Sequence, residues 1–257
     1  MVCQEEIIDL SPSFMSRVIR SFYDGPFSKV GEELRLDPTE SYHLAKVLRR
    51  SDGDFIELLN GKGGRAEAKC FLIGDKEVRV QITKVFEEEK IEPQVTMVLA
   101  MTKGGKWEEQ IKPLTELGVS RISPIITSRT EIKQGAPFDK KVEKWNKLAM
   151  EGCKQSGNPW LPQIDRPVSF DNYLRECSEN MVVAGLAPKL TPLRVEDGNK
   201  RLNILIGPEG GFSDAERRQI DGFQNSLKLS LGPRILRADT AAIAALTCFQ
   251  SVCGDWA

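Results

Sequence analysis

The rhythm of apolar residues changes once along this chain, at the charged stretch from Glu87 to Pro93, and that change limits the folds open to it. Charged residues closed by a proline have little to bury, so a domain boundary is expected there. Before it, over 16–89, short alternating runs at Phe55–Leu59, Ala66–Ile73 and Val78–Val85 are separated by Gly53, Gly61, Gly63, Gly64 and Gly74. Period-two alternation broken by turn residues predicts a small β-barrel or sandwich. One segment differs: Tyr42, Leu44, Ala45, Val47 and Leu48, within Ser41–Arg50, fit a short helix.

Over 92–257 the pattern becomes strand, helix, strand. Val95–Met101 is a continuous apolar run of strand type. Trp107, Ile111, Leu114 and Leu117 follow at helical spacing, with Gly118 as the stop and Pro113 predicting a kink or a late start. Ile122–Thr127, Met181–Ala184, Leu202–Ile206 and Leu227–Leu231 read as buried strands, and Phe138–Cys153 as a long helix ending before Gly157. Ser213 with Glu216 three residues later is a capping box that opens a helix to about Phe223, and Thr240–Val252 is the last helix. This alternation implies an α/β layer on a mainly parallel sheet. Trp107 and Trp145 fall on apolar helical stripes and read as core.

Composition narrows the function. With 257 residues and a net charge of −1, the chain lacks the overall basic footprint of a non-specific nucleic-acid binder, so any RNA contact must be local. The six cysteines show no C-x-x-C pair and none is close to the single histidine, His43, which argues against a zinc site. Reduced thiols in a cytosol-like compartment are expected. No apolar run approaches the length of a membrane span, and the start lacks the order of a secretory signal. Ser and Arg in Ser11–Arg20 leave an organelle as the alternative location.

In an open parallel sheet, ligands sit beyond the carboxyl ends of the strands. Two unusual loops are expected there. The first, Ile204–Ser213, has Gly207, Gly210 and Gly211 for close backbone approach, Pro208 to stiffen the turn, Glu209 as an acid, and the free N–H groups of the helix that follows. It is not a P-loop, because no G-K-[ST] follows, and no G-x-G-x-x-G supports a nicotinamide enzyme. The second, Leu229–Ala242, joins a Gly-Pro turn to Arg234 and Arg237, after which Asp239 or Thr240 is expected to cap an alanine-rich helix.

These loops, Leu205-Ile-Gly-Pro-Glu-Gly-Gly211 and Leu231-Gly-Pro-Arg-Ile-Leu-Arg237, make the chain resemble the RsmE-type 16S ribosomal RNA uridine N3-methyltransferases of the SPOUT superfamily. His43-Leu-Ala-Lys-Val-Leu-Arg49, Lys103-Gly-Gly-Lys106, Glu116-Leu-Gly-Val119 and Gln155-Ser-Gly157 support the likeness, which runs from about Arg17 to Trp256. Two places depart from the pattern: Ala238-Asp239-Thr240 stands where the family commonly has Thr-Glu-Thr, and Asn158 where an arginine often follows Gln-Ser-Gly.

The resemblance implies an α/β, trefoil-knotted, parallel-sheet methyltransferase domain preceded by a small PUA-like β-barrel that helps bind RNA. It further implies S-adenosylmethionine as cofactor, a homodimer, and ribosomal RNA or the assembled small subunit as partner. No metal and no membrane are expected. Cofactor contacts are expected from Leu205, Ile206, Gly207, Pro208, Glu209, Gly210 and Gly211 on the first loop and from Leu231, Gly232, Ile235 and Leu236 on the second, with Thr240 and Leu186 beside them. Removing the N3 proton of uridine calls for a carboxylate, Glu209 or Asp239, and Arg237 would stabilise charge on the uracil oxygens. RNA contact is expected on Arg17, Arg20, His43, Lys46, Arg49, Arg50, Lys103 and Lys106, with Arg65 and Lys69 as a further basic pair. Two alternatives remain, a ribose 2′-O-methyltransferase of the same superfamily and a non-catalytic PUA-type RNA-binding dimer.

Overall fold

The computed structural model describes residues 18–74, 77–90, 92–102, 106–130, 137–185, 201–223, 226–254 and 256. Expectations for Arg17, Lys103 and Leu186, and for the side chain of Lys106, lie outside the described residues. The chain forms two compact units: the described part of Met1–Leu59 with Arg65–Phe86, and Asn60–Gly64 with Glu87–Ala257.

The first unit holds β1 (Arg20–Phe22), β2 (Glu33–Arg35), α1 (Pro38–Tyr42), β3 (Phe55–Leu59), β4 (Gly64–Gly74) and β5 (Glu77–Glu87). They form one sheet in the order β1-β3-β4-β5-β2. Val78, Val80 and Ile82 of β5 alternate inward against Ala66, Ala68 and Cys70 of β4, and these small residues leave room for the fully buried Leu44. The helix expected at Ser41 begins earlier, because Asp37 accepts hydrogen bonds from the Thr39 and Glu40 amides at 2.7 and 3.1 Å and Pro38 suits the first turn. It passes into a π-helical turn at His43–Val47. The parallel pairing of β1 with β3 had no local signature in the sequence.

The second unit holds β6 (Gln94–Ala100), α2 (Lys106–Glu109), α3 (Ile111–Glu116), β7 (Arg121–Ile126), α4 (Asp139–Ser156), β8 (Gln163–Ile164), β9 (Val168–Ser169), α5 (Phe170–Glu176), β10 (Asn180–Gly185), β11 (Arg201–Ile206), α6 (Asp214–Asp221), β12 (Ser226–Ser230) and α7 (Ala238–Cys253). The sheet order is β12-β10-β11-β6-β7-β8, with β9 also paired to β7, and every pairing is parallel. Pro113 has no N–H for the Glu109 carbonyl, so the expected helix is broken at Gln110 into α2 and α3. Gly118 and Gly157 close α3 and α4 with φ of 79° and 84°.

Alternate strand residues serve opposite faces. Met97, Leu99, Ile204 and Ile206 pack with Trp107, Ile111, Trp145, Ala242, Leu246 and Phe249, so α2, α3, α4 and α7 cover one face. Val98, Ala100, Met181 and Leu205 pack with Phe170 and Ile220, placing α5 and α6 on the other. Helices thus pack on both faces of the sheet. The expected knot would need the connection 186–200, which lies outside the described residues.

Candidate functional site

The carboxyl ends of β10, β11 and β12 meet the start of α7 around a cleft of about 580 Å³. That volume is within the roughly 300–1,000 Å³ usual for small-molecule sites. Its floor is apolar: Val183, Ala184, Ile206, Leu229, Leu231 and Leu236 line it, and Ala238 and Ala241 present the start of α7 without filling it. A Cβ on Gly185 or on Gly232 would meet no atom of the described residues within 4 Å, and Gly232 has a φ of +93° that an L side chain rarely adopts. The amide of Leu231 donates to the Gly185 carbonyl at 3.2 Å and ties the two walls together.

The glycine loop after β11 is held from several sides. The Gly211 amide donates to the Pro208 carbonyl at 2.7 Å, closing a turn, and the chain leaves that turn with a φ of +68° at Gly211, which suits glycine. The Phe212 ring covers Gly207, where a Cβ would come within 2.8 Å of the ring, and packs on Phe170 with centroids 5.5 Å apart. Across the sheet, the turn Thr127–Thr130 after β7 reaches the same loop. Glu216, 6% exposed, accepts from the Ser128 amide at 2.7 Å and hydroxyl at 3.1 Å, and from the Ser213 amide at 2.7 Å and hydroxyl at 2.9 Å. Burial opposes its charge, but the bonds from Ser128 and Ser213 outweigh that and hold its carboxyl below the usual range. Arg129 donates to the Gly210 carbonyl, and Arg217 Nε donates to the Phe212 carbonyl at 3.1 Å.

The structure brings together much of the expected set. Ile206, Gly207, Pro208, Glu209, Gly211, Leu231, Ile235 and Leu236 line the cleft. Leu205, Gly210, Gly232, Arg237, Asp239 and Thr240 are not among its lining residues: the Leu205 side chain is in the core on the α5–α6 face, and Gly210 faces Arg129. The expected cap of the last helix is corrected. Arg237 occupies the N-cap, with φ −65° and ψ 157° and no side-chain bond, so α7 starts at Ala238. Asp239 therefore lies in the first turn, where its carboxylate accepts from the Thr240 amide at 2.7 Å and hydroxyl at 3.3 Å. The expectation for α6 also shifts: Arg217, Ile220 and Asp221 line the cleft, whereas its first turn is closed by the Ser213–Glu216 box.

Residues that sequence reasoning missed are Gly185, Arg217, Asp221 and Lys228, and Phe212 and Arg234 were noted only as parts of their loops. Arg217 follows directly on the capping-box Glu216, which was the one available signal. The Lys228–Asp221 ion pair at 2.8 Å joins β12 to α6 on the rim.

Of the candidate RNA residues in the first unit, Arg20 pairs with Glu57 at 2.5 Å, and Arg65 pairs with Glu57 at 2.6 Å while lying over the Phe86 ring. Arg50 lies 3.6 Å from Asp54. His43 is half-buried, Lys46, Arg49 and Lys69 are exposed, and Arg49 has a φ of 50°. No group of three or more potential metal ligands occurs among the described residues.

A parallel sheet covered on both faces, with a glycine-lined cleft beyond its carboxyl ends, defines an α/β enzyme domain that takes a small ligand at that edge. Comparison with known proteins makes this specific. Residues 88–250 match the RNA methyltransferase domain model, and residues 36–83 match the RNA methyltransferase PUA domain model. The ribosomal RNA small subunit methyltransferase E of Synechocystis is 33% identical over 222 residues, 82% of this chain and 70% of that protein. The putative methyltransferase Lpg2936 from Legionella pneumophila, solved with the bound cofactor SAM, is 33% identical with a TM-score of 0.82, covering 91% of this chain and 98% of that one. The Neisseria gonorrhoeae ribosomal RNA small subunit methyltransferase E shares the fold, with a TM-score of 0.83 at 24% identity over 93% of this chain and 100% of that one. The chain belongs to the RNA methyltransferase family typified by ribosomal RNA small subunit methyltransferase E.

Proposed function

We propose that this protein methylates N3 of a specific uridine in 16S ribosomal RNA, with S-adenosylmethionine as methyl donor. The observation that carries the reading is the glycine-lined cleft at the ends of β10, β11 and β12 in a chain of this family. The cleft suits the cofactor: its apolar floor fits an adenosine, Gly185 in its lining admits it against main chain, and the charged rim fits an amino-acid tail.

When bound, S-adenosylmethionine supplies a methyl group already activated on a sulfonium. The chain's own residues then have two tasks, to align the acceptor and to manage its proton. Glu209 is the carboxylate of the glycine loop that lines the cleft, and it is the general base for the uridine N3 proton in this reading. Asp239 is less suited, because its carboxylate is engaged by the Thr240 amide. Arg237, at the N-cap of α7, stabilises the negative charge that develops on the uracil oxygens.

In the same reading the barrel over 16–89 binds RNA through Arg17, Arg20, His43, Lys46, Arg49 and Arg50, assisted by Lys103 and Lys106 of the catalytic domain over 92–257. The protein works as a homodimer in the cytoplasm. Exposed apolar side chains in and around α7 support the dimer, since Ile235 is 86% and Val252 and Trp256 are each 53% exposed. No helix among the described residues is long and apolar enough to cross a membrane.

Calorimetric titration with S-adenosylmethionine, NAD and ATP in turn is the test. Saturable binding of the first alone, followed by N3-methyluridine in 16S ribosomal RNA incubated with enzyme and cofactor, is the expected result. A folded protein that binds no S-adenosylmethionine would be a non-catalytic RNA binder instead.

A further inference from the structure

Three arginines of the second unit are neutralised by a neighbouring carboxylate: Arg121 by Asp165, Arg166 by Asp139 and Arg201 by Glu179. Arg129 and Arg217 are different. Each is held by a main-chain carbonyl, Gly210 for the first and Phe212 for the second, and neither has a carboxylate within ion-pair distance among the described residues. They come from different elements, Arg129 from the turn after β7 and Arg217 from α6. A Cβ on Gly211 would lie 3.5 Å from Arg217 Nη2 and 4.0 Å from Arg129 Nη1, so both guanidinium groups flank the same edge of the loop. Glycine at 211 keeps that edge open.

Bringing two like charges to one point costs energy unless an anion joins them. A neutral carbonyl orients each fork without consuming its charge, and a guanidinium fork matches phosphate oxygens in two-point contact. The place also fits the task. Arg217 and Gly211 line the cofactor cleft, whereas Arg129 does not, so the pair sits at the edge of the cleft. In a chain of net charge −1, RNA must be gripped at such local concentrations of charge.

We infer that Arg129 and Arg217 together form a phosphate subsite that holds the RNA backbone beside the nucleotide being methylated. This rests on the RNA-methyltransferase reading above. The test is the double variant Arg129→Gln with Arg217→Gln, which retains an amide donor for each carbonyl and removes both charges. Its affinity for a short uridine-containing single-stranded RNA is measured without cofactor across a salt series, and S-adenosylmethionine is titrated separately.

The expected result is an RNA affinity about tenfold lower or more at low salt, and a plot of log K against log salt shallower by roughly 1.4, from about 0.7 per lost contact. The single variant Arg129→Gln, at a residue outside the cleft lining, should keep S-adenosylmethionine affinity within about twofold, a difference well under 1 kcal/mol. Arg129→Lys with Arg217→Lys should restore most of the salt slope, because it restores the charge. An unchanged slope in the glutamine pair overturns the inference. A loss confined to S-adenosylmethionine affinity also overturns it, by assigning the pair to the carboxylate of the cofactor. If the wild-type protein bound RNA and no S-adenosylmethionine, the methyltransferase reading would fail while the salt slopes still decided the subsite.

Discussion

Glu216→Gln isolates the clasp that holds the glycine loop in place. The carboxylate of Glu216 has two amide donors, Ser128 and Ser213, each at 2.7 Å, and two hydroxyl donors. Glutamine has one acceptor oxygen. If that oxygen keeps the capping box with Ser213, its amide nitrogen faces the Ser128 N–H, donor against donor. One charge-assisted bond to the main chain is lost, which costs about 2 kcal/mol within the roughly 1.5–3 kcal/mol range for such bonds. For a domain of this size that lowers the melting temperature by roughly 4–8 °C.

The pH dependence has a definite sign. The folded-state pKa of Glu216 lies below its unfolded value, since the bonds from Ser128 and Ser213 outweigh the burial that opposes its charge. Its contribution is therefore complete above the unfolded carboxylate value of about 4.3, and it is lost as pH falls through the lowered folded value. Thermal melts of wild type and variant followed by circular dichroism should differ most near neutrality and converge in acid. Equal melting temperatures at neutral pH, or a gap that widens on acidification, would refute the clasp.

Four further outcomes are expected. Gly185→Leu should leave the unliganded melting temperature unchanged, since no atom of the described residues stands within 4 Å of its Cβ, while lowering S-adenosylmethionine affinity by about tenfold or more, read by calorimetry. Trp145→Ala should destabilise the second unit by about 3–5 kcal/mol in denaturant titration, because the side chain is 1% exposed and packs on Trp107 with ring centroids 4.6 Å apart. Arg237→Ala should abolish turnover and spare cofactor binding; intact turnover would remove that residue from the mechanism. Burial pushes the Cys153 thiol up to about 12 and, with Asp54 and Asp52 adding to it, the Cys70 thiol up to about 11. Native protein treated with iodoacetamide near about pH 8 should therefore be unlabelled at both by mass spectrometry, and labelling at either would show that the thiol is accessible as thiolate.

The residues of the glycine loop were legible in the sequence and the partners of that loop were not. Gly207 to Gly211 stand out because a strand running into three glycines and a proline is a local pattern. Glu216 was visible as the third residue of a capping box, a rule that spans one helical turn. That the same carboxylate also binds Ser128 depends on β7 lying two strands from β11, which no local rule states. Arg129 and Arg217 were passed over for the same reason, as each looks like an ordinary surface arginine until the loop between them is in place.

By itself the sequence determined the local elements: the alternating strands of the first unit, the apolar strands and amphipathic helices of the second, the break before Pro113, the stops at Gly118 and Gly157, and the change of domain near Pro93. These follow from periodicity, capping and backbone restriction, which act over a few residues. The tertiary structure decided the strand order, the parallel union of β1 with β3, the start of α7 at Ala238, and the meeting of three strand ends and a helix around one cleft. Those outcomes come from pairing and packing between residues far apart in the chain, where the free energy depends on the whole set of buried faces rather than on any one segment.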